Sequence, residues 1–159
     1  MKMWIPGEGT LNPGTGFLRP VSSTTLTNPA TAIRAITVGA YDSLTFSYAD
    51  FSGRGPADRR KSQVQSNPDL VAPGCECEHS ICRWRSCRIQ WNILATPFVT
   101  GSAALLMEWG IVRENDIYLY GEKVKAYLRR GAKPMLGFEE YPNEAVGYGR
   151  LCLAESIPD

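Results

Sequence analysis

The chain has 159 residues, 43% hydrophobic and 21% charged, with a formal net charge of +1, a globular composition able to bury one core. A charge so near zero supplies no electrostatic drive toward nucleic acid or an anionic membrane. No apolar run reaches the ~18 residues of a membrane span, residues 98–109 being too short, and the first residues lack the apolar stretch of a secretory leader.

Residues 4–31 are rich in Gly, Pro, Thr, Ser and Asn and hold no long regular element. Trp4-Ile5-Pro6 reads as a short strand end, and 24–29 as an extended stretch that turns at Pro29. Ala35 to Tyr41 is the clearest strand: short, β-branched and mostly apolar, as in a parallel sheet buried on both faces. Tyr48 to Pro56 is a Gly-rich loop in which Gly53 and Gly55 permit backbone turns, and 57–67 is polar. A very short strand follows at Leu70-Val71-Ala72, hemmed by Pro68 and Pro73. Asp42, Asp50 and Asp69 read as turn or loop carboxylates, with Asp69 bonding to nearby backbone.

The stretch from Ala95 to Trp109 predicts a buried central helix over about 96–109. Thr96 fits the N-cap, Pro97 the first helical position, and Gly110 the stop. Val99, Ala103, Leu106 and Met107 recur at helical spacing, and Leu105 and Trp109 make the segment apolar on nearly every side, the mark of an interior helix. A second helix is predicted from Tyr120 to Arg130. Val124, Tyr127 and Leu128 form its inner face, while Glu122, Lys123, Lys125 and Arg129 face solvent. Arg129 and Arg130 suit its C-terminal dipole, and Gly131 ends it. Residues 133–145 form a loop whose Glu139-Glu140 pair is exposed and too small a ligand set for calcium. Gly147 to Ser156 reads as a turn into a short helix that buries the Cys152 thiol. The fold class is α/β.

Several motifs now fall into a family order. Ile36-Thr-Val-Gly-Ala40, Phe51-Ser-Gly-Arg-Gly55, Pro68-Asp-Leu-Val-Ala-Pro-Gly74, Ala95-Thr96-Pro97 with its helix, and Gly147-Tyr-Gly-Arg-Leu151 resemble subtilisin-like serine proteases (subtilases, peptidase family S8). The resemblance runs from about Trp4 to the end. It is strongest to bacterial subtilases whose last helical segment carries Tyr-Gly-Glu-Lys-Val-Lys, here Tyr120 to Lys125.

The resemblance implies the C-terminal portion of a parallel-sheet Ser–His–Asp endopeptidase domain acting on peptide or protein substrates. It also implies that the segments carrying the Asp, the His and the oxyanion-hole Asn belong before residue 1. The family's Gly-Thr-Ser-x-Ala-Thr-Pro motif reads Trp91-Asn92-Ile93-Leu94-Ala95-Thr96-Pro97 here. Ile93 takes the nucleophile position and has no nucleophilic atom, so no catalytic residue is assigned. Ala95, Thr96 and Pro97 are the motif remnant. A chain of this kind is expected to be an inactive fragment, and its core helix to leave apolar faces uncovered unless it associates. A pseudoprotease module that pairs with a separate N-terminal subtilase fragment, or with itself, is the alternative. No cofactor is implied, and neither nucleic acid nor membrane is an expected partner.

Cys75, Cys77, His79, Cys82 and Cys87 form a third, weaker candidate, a zinc site. Thiolates and an imidazole suit zinc, but Cys-x-Cys-x4-Cys-x4-Cys lacks the paired Cys-x2-Cys spacing of common structural sites. His79, the single histidine, lies outside the segment where the family's catalytic base belongs. Codon arithmetic gives another account of the aberrant segment 75–94. Read one base later, Cys-Glu-Cys permits Val-Asn-Val, and Trp91-Asn92-Ile93 permits Gly-Thr-Ser. A one-base loss within the Leu94 codon then restores Ala95-Thr96-Pro97. The expectation is a compensated frameshift. It also accounts for the basic, aromatic Arg83 to Arg88 run, which by itself is poor evidence for nucleic-acid binding.

Overall fold

The computed structural model describes residues 10–56, 68–75, 77–79, 87–89 and 92–158, with the side chains of 75, 77–79, 87–89 and 92 not described. β1 (Val38–Asp42) and β2 (Leu70–Cys75) run parallel, from Val38 opposite Leu70 to Tyr41 opposite Pro73, and then slip so that Asp42 faces Cys75. β3 (Cys77–His79) and β4 (Cys87–Ile89) form an antiparallel pair. Three helices follow, α1 (Asn92–Met107), α2 (Gly121–Arg130) and α3 (Leu153–Ser156), with a π-helical turn, Glu108–Val112, continuing α1.

The period-2 alternation of strands sorts β2 between two cores. Leu70 and Ala72 join Ala40, Val99, Leu106 and Leu128 in the larger cluster. Val71, on the opposite face, joins Tyr41, Met135, Ala145 and Val146 in the smaller one. This is the doubly buried strand pair that the apolar runs predict. Both outer edges are occupied. Asp42 N–H donates to Ser47 O (2.9 Å) and Ala40 N–H to Ser52 Oγ (2.9 Å), so the loop after β1 caps its own strand. On the other side Val71 N–H donates to Gly149 O (2.9 Å), and Val71 O accepts from Leu151 N–H (2.8 Å). That segment approaches through Gly147, which has φ +57, and a Cβ there would lie 2.5 Å from Asp69 O; only glycine fits both demands.

α1 departs from expectation at both ends. It starts at Asn92, so Thr96 is no cap and its carbonyl accepts from Thr100 Oγ1 (3.1 Å), while Pro97 lies inside the helix. Pro97 is solvent-exposed, where a missing N–H does least harm. Gly110 does not stop the helix. It is buried beneath Leu119, whose Cδ2 would lie 2.7 Å from an added Cβ, and its role is close packing rather than a left-handed turn. The end comes later, where Arg113 N–H closes on Glu108 O (3.0 Å). Asn115 Nδ2 and Asp116 N–H then take the carbonyls of Trp109 and Gly110 (both 2.9 Å), supplying partners that a helix terminus otherwise lacks.

The run 93–112 is thus 20 residues, longer than the sequence indicated, and by length and composition alone apolar enough to cross a membrane. Its inner face is instead the lid of the sheet, with Ala95, Val99 and Leu106 at 0%, 3% and 0% exposure, and it packs on β1 and β2. The outer face is uncovered: Phe98 and Leu105 are 44% and 53% exposed. The helix is central to the core on one side only.

α2 buries Val124 and Leu128 as its pattern predicts, and Tyr127 packs edge-on against Trp109. Lys125 and Arg129, expected in solvent, turn inward instead. Cys152 is not on a helix face either. It holds the extended residue before α3 and is only partly buried.

Candidate active-site region

The nucleophile position of the sequence motif falls in the first turn of α1. Ile93 stands there 72% exposed, two residues before the fully buried Ala95. Ala95 anchors the turn in the core, while Thr96 and Pro97 face solvent. A helix start is a favourable place for a nucleophile or a developing oxyanion, yet a hydrocarbon side chain can neither attack a carbonyl nor take a proton. Ser52, the serine of the Phe51-Ser-Gly-Arg-Gly55 motif, is 4% exposed, and its Oγ accepts from Ala40 N–H at 2.9 Å. It tethers a loop to β1 and has no base beside it among the described residues.

β3 and β4 place the backbone of His79 opposite Cys87 and that of Cys77 opposite Ile89. The side chains of Cys75, Cys77, His79 and Cys87, and Cys82 altogether, lie outside what is described, so the zinc set carries no geometry. Among the described residues no group of three or more His, Cys, Asp or Glu is placed to hold a metal ion.

The most deeply buried ion pairs among the described residues are ones the sequence misplaced. Asp69, 0% exposed at the entrance to β2, is not a simple turn carboxylate. Its Oδ2 accepts from Thr37 N–H (2.7 Å) and lies 3.0 Å from Lys125 Nζ, and its Oδ1 is gripped by the Arg129 guanidinium, with Nε at 3.0 Å. Lys125 also donates to the carbonyls of Ile33 (3.1 Å) and Ala35 (2.6 Å), and Arg129 lies 5.0 Å from the Tyr148 ring centroid. The carboxylate therefore ties α2 to the start of β2 and to the chain entering β1. Spread over two cations and a backbone donor, its charge is compensated as burial demands. The signal was present but local rules hid it: a Lys at the centre of a short amphipathic helix reads as solvated until a buried carboxylate is found opposite.

A second cluster braces the far end of α1. Lys123 Nζ lies 2.6 Å from both carboxylate oxygens of Asp116, and Tyr127 OH donates to Asp116 Oδ2 at 3.0 Å. The hydrogen bond from Lys123 holds the Asp116 carboxyl below its ordinary value, and the same bond raises Lys123. Tyr127 is raised because its proton is held by Asp116. Both clusters are structural. Asp42 does behave as a turn carboxylate, accepting from the N–H groups of Leu44 (2.8 Å) and Thr45 (3.2 Å).

The subtilase family profile matches residues 14–149. Among solved structures, the CspB protease of Clostridium perfringens is 42% identical with a TM-score of 0.81, covering 92% of this chain and 30% of its own. The prenylagaramide maturation protease PagA is 26% identical with a TM-score of 0.65, covering 86% of this chain and 46% of its own. The patellamide maturation protease PatA is 27% identical with a TM-score of 0.59, covering 80% and 43%. No curated protein matches the sequence. The chain belongs to the subtilase family, and it spans less than half the length of these structural relatives.

Proposed function

We propose that this subtilase-family chain is the C-terminal part of a subtilisin-like endopeptidase domain and is catalytically inactive by itself. The observation that carries the reading is Ile93, exposed in the first turn of α1 at the position where the family motif has its serine. Acyl transfer by this family needs a serine hydroxyl beside an imidazole, a carboxylate orienting that imidazole, and donors for the oxyanion. The single histidine, His79, lies in β3 rather than in a segment matching the family's His motif. Peptide or protein substrates, as the family implies, would belong to an intact domain.

A fluorophosphonate serine-hydrolase probe tests the reading. The purified chain should show no adduct by intact mass, and a stoichiometric adduct on any of its serines would sink the assignment. The segment 75–94 is read as the product of a compensated frameshift, bordered on one side by Pro68 to Gly74 and on the other by Ala95 to Pro97. Nucleotide sequence across codons 74–95 decides this, since no single-base gain and loss relative to intact relatives means no frameshift. A second reading, a non-catalytic pseudoprotease module that binds a partner, is favoured by the uncovered apolar side of α1.

A further inference from the structure

We infer that the ring-lined face from Phe46 to Phe138, with Arg150 and Arg54 set upon it, is a docking surface for an acidic peptide segment whose carboxylates pair with the two arginines. The inference stands independently of whether the chain is catalytically inactive. Among the described residues three arginines lie over aromatic rings. Arg129, 5.0 Å from the Tyr148 centroid, has its carboxylate in Asp69. Arg54 lies 5.0 Å from the Tyr48 centroid, and Arg150 lies 5.2 Å from that of Phe46. Neither of these two is paired with a carboxylate among the described residues. A guanidinium held over a ring keeps donor N–H groups free, and its planar fork matches a carboxylate. The Arg129 pair thus shows, within this chain, what completes the other two.

The rings form one continuous row. Tyr41 and Tyr48 face each other across an antiparallel bridge and so point to the same side of the β1 edge. Phe46 stacks on Tyr41 at 6.1 Å, and Phe138 meets Tyr48 edge-on at 6.2 Å. Phe46 is 47% exposed, and Arg54, Arg150, Tyr48 and Phe138 are each partly exposed. The turn that presents Phe46 is stapled. Asp42 Oδ1 accepts from the N–H groups of Leu44 and Thr45, and the Thr45 and Ser47 hydroxyls lie 2.7 Å apart. Within it Phe46 has φ +53, a left-handed conformation that a bulky residue rarely adopts. Strain of this kind concentrates where a side chain is held out for a ligand.

Charge selects the occupant. The two guanidinium groups favour carboxylates, and the rings between them favour apolar side chains between those carboxylates. Glu139 and Glu140 are exposed immediately after Phe138, so that end of the row repels anions. A nucleic-acid strand, charged at every unit, would meet it with a phosphate. A peptide with spaced acidic residues can match both arginines and present an uncharged residue there. The test follows a fluorescein-labelled hexapeptide of alternating glutamate and leucine by fluorescence polarisation on the full chain, at low ionic strength.

Saturable 1:1 binding is expected, falling as salt rises. Arg150→Gln and Arg54→Gln should each weaken it at least about fivefold, as for a lost charge-assisted hydrogen bond. Arg130→Gln removes the same charge from an exposed position at the end of α2 and should leave affinity unchanged. Phe46→Gly removes the ring but suits the positive φ, so it should weaken binding without lowering the melting temperature. Circular dichroism checks each fold, and Arg150→Lys, which lacks the planar fork, replaces Arg150→Gln if that variant does not fold. No saturable binding overturns the inference, as does affinity that neither arginine variant changes or that Arg130→Gln lowers equally. A Phe46→Gly variant that melts lower yet binds normally gives the ring to the fold and overturns it too. So does tighter binding of hexathymidylate, which gives the face to nucleic acid, or equal binding of a lysine–leucine hexapeptide, which removes charge as the determinant.

Discussion

Lys125 Nζ lies 3.0 Å from Asp69 Oδ2, and the two side chains are 6% and 0% exposed. This pair joins the middle of α2 to the first residue before β2, beneath the strand pair on which the whole fold rests. Removing Asp69 leaves the buried Lys125 and the Arg129 guanidinium without their carboxylate, at a cost of about 3–5 kcal/mol. Removing Lys125 leaves Asp69 held by Arg129 and the Thr37 N–H and should cost less. Lys125→Met and Asp69→Ala should each lower the urea midpoint, Asp69→Ala by more. Combining them should cost less than the sum, because each already removes the shared interaction. Additive losses would show that the pair is not coupled.

The two faces of α1 should respond oppositely to truncation. Leu106 is fully buried between the helix and the sheet, so Leu106→Ala should cost about 2–5 kcal/mol through lost burial and a residual cavity. Leu105→Ala, one residue away and half exposed, should change the stability of the isolated chain by no more than ~0.5 kcal/mol. Thermal or urea unfolding of the two variants, side by side, makes the comparison.

Gly147 should tolerate no side chain. Its φ of +57 is disfavoured for L residues, and a Cβ would press on the carbonyls of Pro68 and Asp69. The clash is with backbone at the start of β2, which cannot step aside without breaking the Tyr148 N–H to Asp69 O bond (2.9 Å). Gly147→Ala should therefore destabilise by more than the ~1 kcal/mol of an ordinary exposed glycine replacement. Gly101→Ala, in open space within a helix, should be neutral or stabilising, since alanine is the better helix former.

Acid and alkali should act on the Asp116 cluster from opposite sides. The Asp116 carboxyl is depressed below 3.8, first by the hydrogen bond from Lys123, so its contribution is present above 3.8 and is lost as pH falls through the lower folded value. Lys123 is raised above 10.5 by the same bond, so its contribution is present below 10.5 and is lost as pH rises through the higher folded value. Between about 4 and 10 the pair acts at full strength. Asp116→Asn should flatten the acid limb of a stability–pH profile, and an unchanged limb would remove the cluster as its source.

Ile93→Ser should not create a protease. No imidazole stands beside the start of α1 among the described residues, and an unassisted hydroxyl is a weak nucleophile at neutral pH. The variant should remain unlabelled by a fluorophosphonate probe and inert toward casein, and labelling would reveal a base that this chain supplies itself.

β1 and β2, the two longer helices and the family were legible in the sequence because each rests on local rules: apolar runs for β1 and β2, amphipathic spacing for Val124 and Leu128, and short motifs in a fixed order. The proposed loss of the nucleophile rests on the sequence as well, since an isoleucine side chain has no nucleophilic atom. What only the tertiary structure decided are matters of partners distant in the chain. Gly110 reads as a helix stop until Leu119 is seen packed on it, and the helix runs on through a π turn whose Trp109 and Gly110 carbonyls are taken by Asn115 and Asp116. Lys125 and Arg129 read as solvent-facing until Asp69 is found buried opposite them. Which side of an all-apolar helix is covered is likewise invisible in its own residues. It depends on the surface that lies against it, and here the sheet covers Val99 and Leu106 while Phe98 and Leu105 face water.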